Sequence, residues 1–178
     1  MAEGSDAWAR LGEAETNQVW DRFSSAFAFR ASATAEDWPG IREPVPSITW
    51  DLARTRPGLL SKHWRFAVEP ADLHTLVLAA FRDCTGDGQW SYALDWQHPA
   101  YRFWPHRLTE WDRDDAWEVP VFPDGDYYAF MAPDFSFGTF GHPWEASFCV
   151  FGAKLLGALE THNRGILNTV IRRDGKPC

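Results

Sequence analysis

The chain predicts a single α+β domain, a mixed or mainly antiparallel sheet flanked by helices. Two patterns and one spacing carry that prediction. Leu73, Leu76, Val77, Ala80 and Phe81 recur at i, i+3, i+4, i+7 and i+8, the apolar stripe of a helix. Trp90, Tyr92, Leu94 and Trp96 alternate with their neighbours at period two, the pattern of a half-buried strand. From there to residue 151 the strand-like runs follow too closely for parallel crossovers, each of which takes a dozen or more residues. Strands therefore fill the middle of the chain and helices its flanks, with the helices expected on one side of the sheet.

Taken in order, residues 1–15 are polar with Ala and Glu and read as a flexible N-terminus; the domain spans 16–172 and a flexible tail 173–178. Thr16 is placed to cap a helix carrying Val19, Trp20, Phe23 and Phe27 on one face. Trp38-Pro39-Gly40 and Pro44-Val45-Pro46 break regularity and make an extended loop. Ile48, Trp50 and Leu52 then alternate as a strand. Pro70 suits the first turn of the long helix, and Thr85-Gly86-Asp87-Gly88 ends it. Short apolar runs at Tyr101–Trp104, Tyr127–Met131, Phe135–Phe140 and Phe148–Phe151 read as strands, Ala153–Glu160 as a helix and Ile166–Ile171 as a closing strand.

A chain of 178 residues builds a core without disulfide or metal support. Hydrophobic residues make up 45% and charged residues 24%, which excludes wholesale disorder. The 11 Trp, 13 Phe and 4 Tyr exceed what such a core needs, and a buried indole N–H wants a partner. Those rings point to a pocket or interface. The net charge of -8 leaves no basic face for nucleic acid. The one basic cluster, Arg172, Arg173 and Lys176, reads as a solvated end. Cys84, Cys149 and Cys178 show no C-x-x-C spacing and cannot all pair, which fits a reducing compartment. With no leader-like segment and no run near about 18 apolar residues, the expected location is cytoplasmic, away from membranes.

Two stretches concentrate the chemistry. The first runs from Asp95 through Trp96-Gln97-His98-Pro99 and Tyr101 to Trp104-Pro105-His106; the second contains Pro123-Asp124-Gly125-Asp126-Tyr127-Tyr128 and Gly138-Thr139-Phe140-Gly141-His142-Pro143-Trp144-Glu145. These motifs, W-Q-H-P-x-Y, P-x-G-D-Y-Y-x-F and G-T-F-G-H-P-W, followed by Phe151-Gly152 and Leu155-Leu156, resemble the bacterial DUF2716 family, a domain of unknown function. The resemblance covers about Trp20 to Val170 and carries no activity with it.

The residues themselves support a chemical reading. His98 and His142 each precede proline, which ends ladder pairing and sets both imidazoles at strand ends or loops. An imidazole titrates near neutrality and serves as acid or base. His142 is the first candidate catalyst and His98 the second, with Asp126, Glu145 and Asp95 to orient one of them. Trp96, Tyr101, Trp104, Tyr128 and Trp144 are the candidate substrate-binding rings. Each histidine equally reads as a sheet corner bonded to a backbone carbonyl. A metal site from His98, His106, His142 and an acid lacks H-x-x-x-H or H-E-x-x-H spacing, so no metal is expected. No G-x-G-x-x-G or G-K-[ST] pattern supports a nucleotide, and no other cofactor is implied. Cys149, in Ser-Phe-Cys-Val-Phe, reads as a buried hydrophobe, and Ser147 lacks a nucleophile elbow.

Two functions fit. The first is a small cofactor-independent enzyme, a lyase, cyclase or hydrolase, using His/carboxylate acid–base catalysis on a polar small molecule in bacterial biosynthesis. The second is a non-catalytic binding protein, such as an immunity or antitoxin factor, or an accessory subunit of an enzyme complex. The enzyme is preferred, because a binding surface has no need of two His-Pro turns beside acids.

Overall fold

In a computed structural model, residues 6–53, 68–109 and 113–178 are described; residues 1–5 of the expected flexible N-terminus lie outside them. Among the described residues the strands are β1 (Trp8–Arg10), β2 (Ser47–Asp51), β3 (Ser91–Asp95), β4 (Tyr101–Phe103), β5 (Tyr128–Met131), β6 (Gly138–His142), β7 (Ser147–Phe151), β8 (Val170–Arg173) and β9 (Lys176–Pro177). The helices are α1 (Glu13–Phe27), α2 (Pro70–Cys84) and α3 (Ala153–His162). All strands join one antiparallel sheet in the order β1-β4-β3-β5-β6-β7-β2-β8-β9. The single-domain α+β architecture is as predicted. Strand β1 falls inside the expected N-terminal arm and pairs with β4, while β9 falls inside the expected tail and pairs with β8.

Helices cover both faces of this sheet, not one. The reason lies in the central strands. Along β5, Tyr128 and Phe130 join a core with Leu73, Leu76, Val77 and Phe81 of α2 and Leu155 and Leu159 of α3. The alternate residues Ala129 and Met131 join a second core with Val19, Phe23 and Phe27 of α1. Every residue of β5, β6 and β7 is buried, so these strands read as continuous apolar runs rather than alternating ones. Two apolar faces need two layers of helix to cover them.

The long helix behaves as read: Pro70 opens α2, and its apolar stripe is buried. Helix α1 starts earlier than Thr16. Gly12 is its N-cap, the Thr16 N–H already bonds the Gly12 carbonyl at 2.9 Å, and Glu13 and Glu15 sit where the helix dipole favours acids. The β5–β6 contact admits no side chain at Gly138: a Cβ there would stand 2.4 Å from the Phe130 carbonyl oxygen.

A polar cluster under the α1 face ties β2, β6, β7 and β8 together. The register places Thr49 of β2 between Cys149 and Arg172, with all three side chains on that face. Arg172 donates two hydrogen bonds to Glu145, at 2.6 and 2.8 Å, and a third to Glu43 at 2.9 Å. Thr49 donates to Glu43 at 2.8 Å, and Ser147 donates to Glu145 at 2.6 Å. Arg172 is thus no solvated end. Its side chain is only 12% exposed and that of Glu43 only 1%. The forked guanidinium suits two carboxylates at once, which an ammonium could not match.

Losing the cation leaves two carboxylates unpaired under the sheet, a situation that costs about 3–5 kcal/mol. The Arg172→Met protein is therefore expected to unfold in urea with a free energy lower by about that much. Replacing Glu43, Glu145 and Arg172 together by apolar residues of similar size should recover most of the loss. A single variant as stable as the natural protein would show that the cluster does not hold the edge.

Candidate functional site

The two histidines end up in opposite environments. Strand β3 ends at Asp95, and Gln97 then takes a left-handed turn at φ 65, so that the His98 N–H bonds back to the Asp95 carbonyl at 3.2 Å. The imidazole folds onto the carboxylate, with His98 Nδ1 2.9 Å from Asp95 Oδ1. Asp126 reaches the same nitrogen at 3.4 Å. It can do so because β5 lies beside β3 in a register that faces Tyr128 with Asp95, two residues past Asp126. The His98 side chain is 57% exposed, while Asp95 and Asp126 are 16% and 20% exposed.

The electrostatics follow from this geometry. The hydrogen bond that His98 donates to Asp95, and then the charge of Asp95, raise the His98 pKa above the ordinary imidazole value. Burial raises the Asp95 carboxyl, against the opposing pull of His98. Nδ1–H pointing at Asp95 leaves Nε2 on the outer edge of the ring. Beside it lies a cleft of about 350 Å³, lined by His98, Gln97 and Trp96 and, from α1 and its exit, Thr16, Asn17, Trp20 and Phe29. Three aromatic rings thus wall a space with a carboxylate-braced imidazole at its mouth. Asp95, His98 and Asp126 also offer three ligand atoms within 4.8 Å of one another, a donor set that fits a divalent cation. Histidine spacing alone could not reveal that trio, because Asp126 arrives through strand pairing.

His142 ends β6 and is 1% exposed. Its Nδ1 accepts a hydrogen bond from the Glu145 N–H at 3.0 Å, which places the ring proton on Nε2. Nε2 has no partner among the described residues, and neither does the indole nitrogen of Trp38, whose ring packs edge-on at 5.6 Å. Gly40, at φ 76, lies against the imidazole: a Cβ there would come within 3.3 Å of its ring. Burial lowers the His142 pKa to about 4, so the ring is neutral. The cleft beside His98 is not lined by His142. Tyr127 stands between them, 5.7 Å from Trp96 and 4.9 Å from His142, with its hydroxyl donating to the Ser32 carbonyl.

The remaining predicted residues scatter. Burial opposes ionisation of Glu145, yet the hydrogen bonds from Arg172 and Ser147 outweigh it and hold the carboxyl below its usual pKa. Glu145 is thereby committed to the edge cluster and meets His142 only through its backbone. Tyr101 packs edge-on against Trp8 at 6.1 Å, and Trp104 lies under the Arg107 guanidinium at 4.7 Å. Tyr128 is buried and donates to Asp124 at 3.0 Å. Trp144 is 56% exposed, in the β6–β7 turn. His106 bonds the Arg82 and Thr85 carbonyls at the end of α2 and meets neither other histidine. Burial pushes the Cys149 thiol up, in keeping with an inert core residue. Cleft residues outside the candidates are Trp20, which reads as the apolar face of a helix, Thr16, which reads as its cap, and Asn17, Asp21, Ser24 and Phe29, for which the sequence offers no signal.

A small α+β domain with an antiparallel sheet, carrying a carboxylate-braced histidine at the mouth of an aromatic cleft, is the class of protein that fold and site define. The chain belongs to the family described as "Protein of unknown function (DUF2716)", whose family model matches residues 10–156. It is similar to the Bacillus subtilis (strain 168) "Uncharacterized protein YxiI", at 34% identity over 153 residues, covering 86% of this chain and 92% of that protein. No solved structure matches the chain. Among the described residues, no helix is long and apolar enough to cross a membrane.

Two titrations follow. In a proton NMR titration, His98 is expected to hold its proton above the ordinary value of 6.5. Asp95→Asn should move it back down, and a His98 that titrates below 6.5 in the natural protein would contradict the hydrogen-bonded geometry. His142 acts with the opposite sign. Its folded pKa of about 4 lies below the ordinary 6.5, so the unfolded chain binds a proton that the folded protein refuses. Stability from this group is complete above pH 6.5 and falls toward pH 4, by up to about 1.4 kcal/mol per pH unit. Urea midpoints measured across that range should fall less steeply for His142→Gln than for the natural protein.

Proposed function

We propose that this protein is a cofactor-independent enzyme that performs general acid–base catalysis on a polar small molecule at the cleft beside His98. The observation that carries the proposal is the Asp95–His98 pair, at 2.9 Å, set at the mouth of a cleft walled by Trp20, Phe29 and Trp96. The cleft's volume of about 350 Å³ suits a small metabolite. His98 takes the lead over His142, because an acid or base must reach its substrate and His142 is sealed beneath the α1 layer.

The chemistry runs through one proton. Asp95 holds the imidazolium, whose Nε2–H protonates the departing oxygen of the substrate as the bond to that oxygen breaks. The neutral imidazole then recovers a proton from the adjacent substrate carbon, in an elimination, from the attacking water, in a hydrolysis, or from an attacking substrate hydroxyl, in a ring closure. Asp95 stays ionised throughout and fixes the ring. The aromatic walls hold the substrate's flat or apolar part. A cationic head is favoured too, since Asp21 also lines the cleft and Asp126 stands at its mouth. One observation supports the second reading, a partner-binding protein: Trp144 is 56% exposed at a turn, the kind of aromatic anchor interfaces use.

The test is conversion by the purified protein of a polar bacterial metabolite extract, read by mass spectrometry. The natural protein is expected to deplete one or more compounds, with His98→Asn slower by about 100-fold or more and His142→Gln near the natural rate once folded. EDTA should leave the activity intact. Loss of activity with EDTA and its return with a divalent cation would reassign Asp95, His98 and Asp126 as metal ligands. Full turnover by His98→Asn would overturn the proposal, and no turnover together with a stable 1:1 complex that needs Trp144 would favour the partner-binding reading.

A further inference from the structure

The face of the sheet opposite the His98 cleft carries a cavity of about 580 Å³ that takes no part in the proposed chemistry. It opens where the C-terminus of α2, the N-terminus of α3, the start of β3 and the turn after β5 meet, and Cys84, Trp90, Ser91, Phe137 and Lys154 line it. We propose that this cavity is a second small-molecule site, for an organic carboxylate with an apolar or aromatic body. The proposal does not depend on the His98 reading.

Two donors converge on the cavity. The first is the Ser91 hydroxyl. Ser91 is fully buried, its Oγ has no hydrogen-bond partner among the described residues, and it belongs to the lining. Its direction follows from strand alternation: Ser91 lies on the same face of β3 as Ala93, which packs in the α2 and α3 core. A buried hydroxyl without a partner is costly, and an acceptor brought by a ligand removes that cost. The second donor is the Lys154 ammonium, the only basic group among the described residues that line the cavity. One of its protons goes to the Cys84 carbonyl at 2.8 Å, which aims the ammonium across the cavity from α3 toward α2.

Lys154 stands in the first turn of α3, a helix of ten residues with Gly152 as its N-cap. The helix start is pinned to the cavity wall. A Cβ on Gly152, at φ 88, would meet the Ser136 carbonyl oxygen and the Phe137 Cβ at 2.6 Å. This accounts for the Phe151-Gly152 motif, where glycine is needed for both the left-handed backbone and the close approach.

Trp90 and Phe137 make the apolar walls, and Trp90 is held edge-on by Tyr92 at 4.8 Å. Asp134, the one carboxylate among the described lining residues, is turned onto the Ser136 N–H at 3.0 Å and its hydroxyl at 2.6 Å. A ligand carboxylate fits at the Lys154 and Ser91 end, with its apolar body between the rings. A multiply charged phosphate is less suited to a single lysine with Asp134 nearby.

The probes are phenylacetate and its neutral counterpart phenylacetamide, titrated into the full chain and followed by amide and indole NMR shifts. Phenylacetate is expected to move the Trp90 indole and the amides of Ser91 and Lys154 saturably, with phenylacetamide at least tenfold weaker. Lys154→Met should weaken phenylacetate binding about tenfold or more. Ser91→Ala should weaken it as well without loss of stability, because the hydroxyl it removes has no partner to lose. His98→Asn should bind phenylacetate unchanged, which separates this site from the acid–base cleft. No saturable shift at these residues, equal binding of acid and amide, or undiminished binding by Lys154→Met would each overturn the proposal.

Discussion

Much of this fold hangs on one guanidinium. Arg172 lies near the C-terminus, yet it bonds two carboxylates from distant segments, Glu43 before β2 and Glu145 between β6 and β7. Each acid alone would be costly to place where it is, and the three together are tolerable because the fork satisfies both. The consequences spread outward. Glu145, held by Arg172 and Ser147, fixes the β6–β7 turn, and that turn presents the N–H which sets the tautomer of His142. On the other side, Thr49 and Glu43 fix β2, against which β8 and then β9 are added. The edge of the sheet and the buried histidine are thus two ends of a single polar network.

That network explains what a single sequence could and could not disclose. Helix α2 was legible because its cause is local: a proline at the start and an apolar stripe at helical spacing. The central strands were legible as strands but not as two-faced ones, since an apolar run does not say how many layers will cover it. Arg172 was misread for a physical reason. A basic residue beside another in a polar tail has the composition of a solvated end, and its partner Glu43 is 129 positions away. Charge pairing across a sheet leaves no local trace. Thr16 was misplaced as a cap because its side chain suits that role, whereas glycine served and the acids that follow supplied the favourable charge.

The candidate site was legible by the same rule. His98 and Asp95 are three residues apart, joined by a turn, and their union needs only local geometry. Asp126 entered the list as an acid in a motif, but the register of β3 against β5 decides that it, and not Glu145, reaches an imidazole. The aromatic excess was a sound pointer to a cleft and a poor guide to which rings wall it. Of the five flagged rings only Trp96 lines the space beside His98, and the other walls, Trp20 and Phe29, come from the α1 layer.

One sheet therefore holds two histidines with opposed chemistry, and their separation is itself a constraint on function. Groups pushed apart in pKa by their surroundings are how a protein assigns different tasks to the same side chain. His98, in the open and hydrogen-bonded to a carboxylate, has its pKa raised. His142 is kept from carrying one by burial. Tyr127 lies between them, its hydroxyl tied to Ser32 and its ring against both Trp96 and His142. A ring so placed separates the neutral histidine from Trp96. The buried imidazole joins the β6–β7 turn to the Gly40 loop, and the exposed one faces solvent beside the cleft.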